Sequence, residues 1–306
     1  MFERLMLRAL SRYLMNPHTQ RFKWRAYAAG LKALERTEGL VDARLRSGEV
    51  FQVPAHDYAG ARLALTGQWE PTVTAVIRHL LRPGDVFVDV GANFGYYSIA
   101  AARWVGPQGR VFAFECAPRA LGLLKTNVAL NRCADTVRVQ DCGLSDESGE
   151  MRFFQSRLDT GWSSLDPIPD AEELRVSIRR LDELDLAGPD IRLVKIDVEG
   201  GEAKVLRGMQ AVFARGSRPF VIAEITPRFK ARGGAAPLDT FAYLGEFGYE
   251  ALRIPRIKAE YGPHSPAGFS LSRTSAAEIE RAGRQEDVLF VPAGEASRLT
   301  GAIPFA

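Results

Sequence analysis

The stretch from Val86 to Ser98 constrains the fold of this chain more than any other. It reads VFVDVGANFGYYS: an apolar run with the acidic residue Asp89, then two glycines and the start of a helix. A buried strand that ends in a glycine turn and continues into a helix is typical of parallel α/β sheets, in which the turn lies at the ligand-binding edge. Glycines let the backbone approach a ligand closely, and free N–H groups at the helix start face it. The sequence therefore predicts an α/β fold with a nucleotide-type site at this turn.

Asp89 distinguishes between two kinds of cofactor that such a turn can bind. A dinucleotide site has three glycines spaced GxGxxG, with the pyrophosphate on the helix N-terminus. Here Phe94 and Tyr96 are bulky where that pattern has small residues, and no third glycine follows in register. A carboxylate at the strand tip would repel a pyrophosphate, whereas it suits a cationic amino group such as that of the methionine part of S-adenosylmethionine. The residues favour the second cofactor.

A second acidic residue, Glu115, follows the apolar strand Arg110 to Phe114. A carboxylate at that point can accept hydrogen bonds from both hydroxyls of a ribose. Dinucleotide enzymes also have an acid there, so Glu115 by itself does not distinguish the cofactors.

Three spaced motifs carry a family resemblance. Asp89 to Gly95 reads DVGANFG, Phe114 to Pro118 reads FECAP, and Lys195 to Glu202 reads KIDVEGGE. With these motifs in this order, roughly residues 58–224 resemble the FkbM family of class I S-adenosylmethionine-dependent methyltransferases. The resemblance implies a Rossmann-like α/β fold with a mostly parallel central sheet and helices on both faces. One departure is Cys116, since the family usually has proline directly after the ribose-binding glutamate.

The resemblance also implies a set of cofactor-binding residues. Glu70 precedes the central strand, but a carboxylate at a helix start, favoured by the helix dipole, explains it equally well. Asp141 is the candidate for the adenine amino group, and the alternative is a turn aspartate that bonds its own backbone. The full set is Glu70, Asp89, Gly91, Asn93, Gly95, Ser98, Glu115, Asp141 and Cys142.

Two acids after the strand Leu193 to Ile196 are the catalytic candidates. Parallel strands bind ligands at their carboxyl ends, so Asp197 and Glu199 are expected beside the transferred methyl group. Asp197 is the candidate base, with Glu199 orienting it or the substrate. The alternative role for Asp197 is to cap the following helix. Asp197 and Glu224 are expected to end adjacent strands and to be able to share a divalent metal, although two acids do not specify a metal site.

Candidate acceptor-binding residues lie in two polar stretches. Tyr58 belongs to a predicted loop from His56 to Gly60, and Trp162 and Ser163 belong to a long polar connection, which in compact domains is often a lid or substrate wall. Trp162 is suited to stacking on a sugar or ring, but equally to packing.

The function predicted from these residues is an S-adenosylmethionine-dependent O-methyltransferase. The family resemblance implies a hydroxyl of a sugar, glycan or polyketide-type secondary metabolite as the acceptor. The alternatives are an N-methyltransferase of a small molecule or peptide, a nicotinamide-dependent oxidoreductase and a non-catalytic nucleotide-binding protein. Asp89 and the missing third glycine argue against the oxidoreductase.

Charge divides the 306 residues unevenly. Residues 1–36 hold eight Lys/Arg and two Asp/Glu, so their net charge is +6. Since the net charge of the whole chain is +3, the remaining residues carry −3. We expect a basic helical extension over residues 1–40 and a methyltransferase domain over 41–306. The extension is expected to pack on the domain or on a second subunit in a homo-oligomer, or alternatively to contact a membrane or an anionic glycan. An acidic catalytic body argues against nucleic acid as a partner.

Cysteine usage and hydropathy bear on location. The three cysteines lack zinc-ligand spacing, which favours free thiols in a reducing compartment. Neither a bilayer-spanning apolar stretch nor a signal peptide is evident. The sequence predicts a cytoplasmic protein, with attachment to the inner face of the membrane as the alternative.

Overall fold

A computed structural model describes residues 2–16, 22–156, 163–164, 167, 170–184, 186, 190–198, 200–214, 218–227, 237–257, 268–299 and 301–305. Two helices and a hairpin begin the chain, and two further helices lead into the central sheet. These elements are α1 (Phe2–Met15), α2 (Lys23–Leu34), β1 (Leu40–Arg44), β2 (Val50–Pro54), α3 (Tyr58–Thr66) and α4 (Pro71–Leu80).

Alternating strands and helices follow. The first group is β3 (Val86–Val90), α5 (Tyr96–Val105), β4 (Arg110–Phe114), α6 (Pro118–Leu130) and β5 (Val137–Gln140). A separate small sheet comes next, with β6 (Gly143–Leu144), β7 (Gly149–Ser156), β8 (Ser163–Ser164) and β9 (Ala171–Arg179), after which a 3-10 turn spans Leu181–Glu183.

The last third completes the large sheet. It contains β10 (Ile191–Ile196), α7 (Glu202–Arg207), α8 (Gln210–Ala214), β11 (Phe220–Ile225), α9 (Pro237–Glu246), β12 (Tyr249–Ile254), β13 (Gly268–Phe269), β14 (Ser272–Arg273), α10 (Ala276–Ala282), β15 (Glu286–Pro292), α11 (Ala296–Leu299) and β16 (Ile303–Pro304).

The described part of the large sheet has eight strands in the order β14-β12-β15-β11-β10-β3-β4-β5. The strands from β11 through β5 in that order run parallel, and β15 is inserted antiparallel between β11 and β12. Because the chain leaves β3 in one direction toward β5 and later returns on its other side with β10, the strand order reverses at β3. This sheet, with helices on both faces, confirms the predicted Rossmann-like class I methyltransferase fold, and it places the ligand-binding edge at the carboxyl ends of β3, β4 and β10.

Two hydrophobic cores cover the two faces of the sheet. One joins α3, α4 and α5 to β3 and β10 and also takes in Leu14, Tyr27 and Leu34 of the first two helices. The other joins α7, α9 and α10 to the opposite face. The inner faces of α1 and α2 therefore pack on the catalytic domain. This agrees with the expectation that the N-terminal extension packs on the domain.

One local prediction was wrong. The segment His56 to Gly60, expected to be a loop, contains the start of α3. Asp57 caps this helix, because its Oδ1 accepts hydrogen bonds from the backbone N–H groups of Ala59 and Gly60. The apolar residues that follow are buried in the core, which favours the helix over a loop.

Candidate functional site

The acidic side chains converge because the strands that carry them are in register. Lys195 of β10 pairs with Asp89 of β3, and Glu224 of β11 pairs with Asp287 of β15. Side chains two residues apart lie on one face of a strand, so Asp197 extends the same row beyond the end of β10. The described residues therefore place four acids along one edge and on the same face of the sheet: Asp89, Asp197, Glu224 and Asp287.

Asp89 is buried at the tip of β3, and one of its two carboxylate oxygens accepts a hydrogen bond from the protein. It is 1% exposed, and its Oδ2 accepts a hydrogen bond of 2.6 Å from the Ser98 hydroxyl. Its Oδ1 has no hydrogen-bond partner among the described residues. Burial raises the pKa of Asp89, while the nearby Lys195 charge and the Ser98 hydrogen bond lower it. A buried acceptor of this kind fits the cationic amino group of the expected cofactor.

The turn after Asp89 requires glycine at Gly91. Its φ is +80°, and a Cβ there would lie 2.0 Å from the Asp197 carbonyl oxygen. The turn is also tied to β4, because the backbone N–H groups of Gly91 and Ala92 donate to the Phe114 carbonyl. The close approach of the two backbones brings the predicted cofactor turn against the predicted catalytic acid.

Gly95 and Asn93 complete the turn. Both have positive φ, +92° and +49°, and Asn tolerates this left-handed region better than most residues. Oδ1 of Asn93 is buried without a partner among the described residues. Asn127, which is fully buried, donates to the Phe94 carbonyl and so fixes the turn from the side of α6.

Glu115 has both carboxylate oxygens fixed by the backbone. Oε2 accepts from Asn93 N and Oε1 from Ala117 N, each at 2.8 Å. Burial raises the pKa of Glu115 to about 7, although these backbone N–H groups oppose the rise. Each carboxylate oxygen keeps a second lone pair, so the fixed Glu115 fits a pair of ribose hydroxyls. The residues at the tips of β3 and β4 thus fit S-adenosylmethionine.

A buried lysine lies between the two predicted acids. Lys195 is 4% exposed, and its Nζ lies 2.8 Å from Asp197 Oδ2 and over the Tyr97 ring, 4.6 Å from the centroid. Burial lowers the pKa of Lys195, but the charges of Asp197, Asp89 and Glu70 outweigh it and raise the pKa overall. Lys195 therefore stays charged beneath the site.

Glu70 lies at the start of α4 rather than in the cofactor turn. Its backbone is in the left-handed region, φ +39°, and its side chain accepts a hydrogen bond from the Tyr97 hydroxyl. Burial and then the charge of Asp287 raise the pKa of Glu70 to about 8, against the opposing charge of Lys195. Its side chain makes no capping hydrogen bond, but its place at the helix start also agrees with the explanation by the helix dipole, so its contact with the cofactor stays a prediction.

Three carboxylates form a compact cluster. Oxygens of Glu70, Glu224 and Asp287 all lie within 4.8 Å of one another. Arg256 partly balances them, with Nε 3.2 Å from Asp287 Oδ2 and Nη2 3.7 Å from Glu224 Oε2. Burial raises the pKa of Asp287, and the Arg256 charge lowers it.

The two acids predicted to share a metal belong to different groups. Strands β10 and β11 are adjacent, as expected, but Glu224 lies with Glu70 and Asp287, whereas Asp197 is bound to Lys195. The metal stays a prediction.

Asp141 and Cys142 follow β5. Asp141 has a side chain that is 67% exposed and pairs with Lys125 at 3.6 Å, and Cys142 is buried. Their contact with adenine stays a prediction.

The predicted acceptor residues are only partly described. Tyr58 is exposed on α3, where Arg62 stacks on its ring and Trp69 packs edge-on against it. Ser163 belongs to β8 and pairs with Gln155 of β7. Glu199 and Trp162 lie outside the described residues.

Sequence reasoning missed four residues of the site: Tyr97, Lys195, Arg256 and Asp287. For Lys195 a signal existed, since it is a lysine in the apolar run Leu193 to Ile196, two residues before Asp197. For Arg256 and Asp287 the sequence offered none, because their positions depend on which strands become neighbours. Tyr97 follows the glycine turn at the start of α5, but no local pattern indicates its contact with Glu70.

Comparisons with known proteins agree with this geometry. Residues 89–251 match the family described as the methyltransferase FkbM domain. The 31-O-demethyl-FK506 methyltransferase of Streptomyces tacrolimicus is 33% identical over an alignment of 162 residues, and the match covers 42% of this chain and 61% of that protein. The hexuronic acid methyltransferase AglP of Haloferax volcanii is 33% identical over 176 residues, 56% of this chain and 67% of that protein. With the Streptomyces relative, the chain spans less than two thirds of the relative's length.

A solved S-adenosylmethionine-dependent O-methyltransferase of Thermotoga maritima resembles the chain more distantly. The TM-score is 0.41 and the identity 14%, over 83% of this chain and 77% of that one. Within the described residues, none of the helices has the length and apolar character needed to cross a bilayer.

Proposed function

Since the chain belongs to the FkbM family of S-adenosylmethionine-dependent methyltransferases, we propose that it methylates a hydroxyl oxygen of a sugar or other small-molecule acceptor. Family membership confirms the enzyme class predicted from the three motifs. The observation that carries the finer proposal is Asp197, whose carboxylate is held by buried Lys195 and whose backbone carbonyl lies against Gly91 of the cofactor turn.

The cofactor-binding half of the proposal rests on Asp89 and Glu115. S-adenosylmethionine supplies a methyl group on a positively charged sulfur, so its carbon is already activated. Asp89 Oδ1 is the acceptor for the amino group, and the backbone-fixed Glu115 is the acceptor for the ribose hydroxyls. Gly91 leaves the space that lets the turn close on Asp197.

The acceptor half of the proposal rests on Asp197. A hydroxyl that takes up a methyl group loses its proton, and a carboxylate within hydrogen-bond distance is a suitable proton acceptor. As the O–C bond forms and the S–C bond breaks, the O–H proton passes to Asp197. Lys195 positions this carboxylate, because its Nζ lies 2.8 Å from Asp197 Oδ2.

The names of two relatives support an oxygen acceptor and a sugar. One relative is described as a 31-O-demethyl-FK506 methyltransferase and the other as a hexuronic acid methyltransferase. An amine acceptor is the alternative, because a carboxylate also accepts the proton of an ammonium group.

A paired-substrate assay tests the proposal. Release of S-adenosylhomocysteine is measured with methyl glycosides, uronic acids and a macrolide alcohol, each beside its amine analogue, and the methylated atom is assigned by NMR. We expect transfer to the hydroxyl compounds. Methylation restricted to the amines would contradict the O-methyltransferase proposal.

Substitution at Asp197 tests the base. Asp197→Asn should retain binding of S-adenosylhomocysteine in calorimetry and lower kcat by about 10²–10⁴-fold, the usual contribution of a positioned base. Asp135→Asn, at an exposed position near β5, is the matched control and should leave kcat unchanged. Unimpaired turnover in Asp197→Asn would exclude Asp197 as the base.

A further inference from the structure

The N-terminal helices have an outer face that the catalytic domain does not use. Helix α2 buries Tyr27, Gly30 and Leu34 against the domain. On the opposite side, Arg25 and Lys32 are exposed two helical turns apart, and Arg36 continues the row in the following turn. We call these three residues the basic stripe.

The basic stripe lacks carboxylate partners. Within the described residues, none of its three members lies within salt-bridge distance of an Asp or Glu, and the same holds for the exposed Arg12 of α1. The contact recorded for Arg25 is with the Phe22 ring, 5.7 Å from its centroid. Uncompensated cations on one surface create a positive potential that attracts an anionic partner.

Exposed apolar side chains concentrate in the same region. Of the seven large hydrophobic residues exposed in the described chain, four fall within residues 6–40: Met6, Phe22, Trp24 and Leu40, at 47%, 62%, 55% and 43%. Trp and Phe beside Lys and Arg are typical of surfaces that lie in the headgroup region of a bilayer.

A groove beside α1 has the same mixed character. The groove lies between α1 and the β1–β2 hairpin and encloses a cavity of about 590 Å³. The residues that line it include Arg12, Arg44 and Arg8, of which Arg8 pairs with the lining residue Asp42 at 3.4 Å, and Leu7, Met15 and Val41 contribute apolar lining. A lining that is both cationic and apolar suits an amphiphile.

We propose that the N-terminal helix pair docks on the surface of an anionic lipid bilayer through the basic stripe and Trp24. Docking on a second copy through the same face would bring like charges together, because a two-fold contact is self-complementary. Nucleic acid would leave the aliphatic Met6 and Leu40 without a function, and the remainder of the chain carries −3. The lipid surface accounts for both the charge and the apolar groups.

Vesicle co-sedimentation of the full chain tests the proposal. We expect binding to phosphatidylcholine–phosphatidylglycerol vesicles, little binding to phosphatidylcholine alone, and release by raised salt. Since each cation near an anionic surface contributes roughly fivefold, Arg25→Glu/Lys32→Glu/Arg36→Glu should weaken binding by about 100-fold or more. Trp24→Ser alone should also weaken binding to the vesicles, although it leaves the net charge unchanged.

A second triple variant controls for net charge. Arg78→Glu/Arg110→Glu/Arg281→Glu makes the same charge change at exposed positions of the catalytic domain and should retain most of the binding. Both triple variants should bind S-adenosylhomocysteine as the wild type does, which shows that they fold. Absence of wild-type binding to anionic vesicles, or equal loss in both triple variants, would overturn the proposal. Tighter binding to heparin or RNA, insensitive to Trp24→Ser, would overturn it in favour of a polyanion site.

Discussion

The Lys195 ammonium nitrogen lies 2.8 Å from Asp197 Oδ2, with the Tyr97 ring 4.6 Å from the same nitrogen. Lys195 also pairs in register with Asp89 on the neighbouring strand. One buried cation therefore faces both the acid expected to bind the cofactor and the acid proposed as the base. The two halves of the proposed site share this charge.

Replacing Lys195 by Met tests its importance. The substitution leaves buried Asp89 and half-buried Asp197 without their cation, and since removing one partner of a fully buried pair costs about 3–5 kcal/mol, the unfolding free energy should fall by at most this amount. We expect this loss in urea unfolding, together with weaker calorimetric binding of S-adenosylhomocysteine.

A double variant separates charge from packing. Lys195→Met/Asp197→Asn removes both charges of the pair, so it should recover part of the stability lost in Lys195→Met but none of the activity. A double variant that is less stable than Lys195→Met would show that packing, rather than an uncompensated carboxylate, causes the loss.

Two glycine substitutions probe the cofactor turn. A Cβ on Gly91 would lie 2.0 Å from the Asp197 carbonyl oxygen, and φ is +80°. Gly91→Ala should therefore destabilise the fold by more than about 1 kcal/mol and abolish cofactor binding. Gly122 lies in α6 with open space where its Cβ would be, so Gly122→Ala should be neutral or stabilise by about 0.5–1 kcal/mol. Equal effects of the two substitutions in thermal unfolding would contradict this account.

The glycine turn and the strand-end acids were predictable because they depend on local sequence. A strand, a positive-φ turn and a helix occupy consecutive residues. Parallel strands place Asp89, Glu115 and Asp197 at one edge of the sheet, whatever the conformation of the loops between them. Side-chain alternation would also have placed Lys195 beside Asp197, had it been applied to β10.

The carboxylate cluster was not predictable in the same way. Glu70, Glu224 and Asp287 come from a helix start, a parallel strand and an antiparallel strand that are far apart in the chain. Their proximity depends on the insertion of β15 next to β11, a tertiary pairing that no local pattern specifies. The same holds for Arg256.

The buried Glu115 should make stability depend on pH. Its pKa rises from an ordinary 4.5 to about 7, so between these values the folded state binds more protons than the unfolded state. The unfolding free energy should then fall with rising pH, by about 3 kcal/mol in total from this residue. Urea unfolding across this range measures the fall.

Glu115→Gln serves as the comparison. Glutamine does not titrate, so the fall with pH should be smaller, although its NH₂ group faces a backbone N–H and lowers stability at all pH values. Loss of a charged acceptor should also weaken S-adenosylhomocysteine binding by about 10–100-fold. An unchanged pH slope would contradict the assignment of the titration to Glu115.

Glu70 should produce an inflection in the pH–rate profile. Burial and the charge of Asp287 raise its pKa to about 8, and its ionisation adds a negative charge near Lys195 and Asp197. That charge favours binding of a cationic methyl donor, so kcat/KM should rise as pH passes through about 8. In Glu70→Gln the Tyr97 hydroxyl keeps an acceptor but the titration is lost, so the profile should be flat in this range. An inflection retained in Glu70→Gln would assign the titration to another group of the cluster, since Asp287 also has a raised pKa.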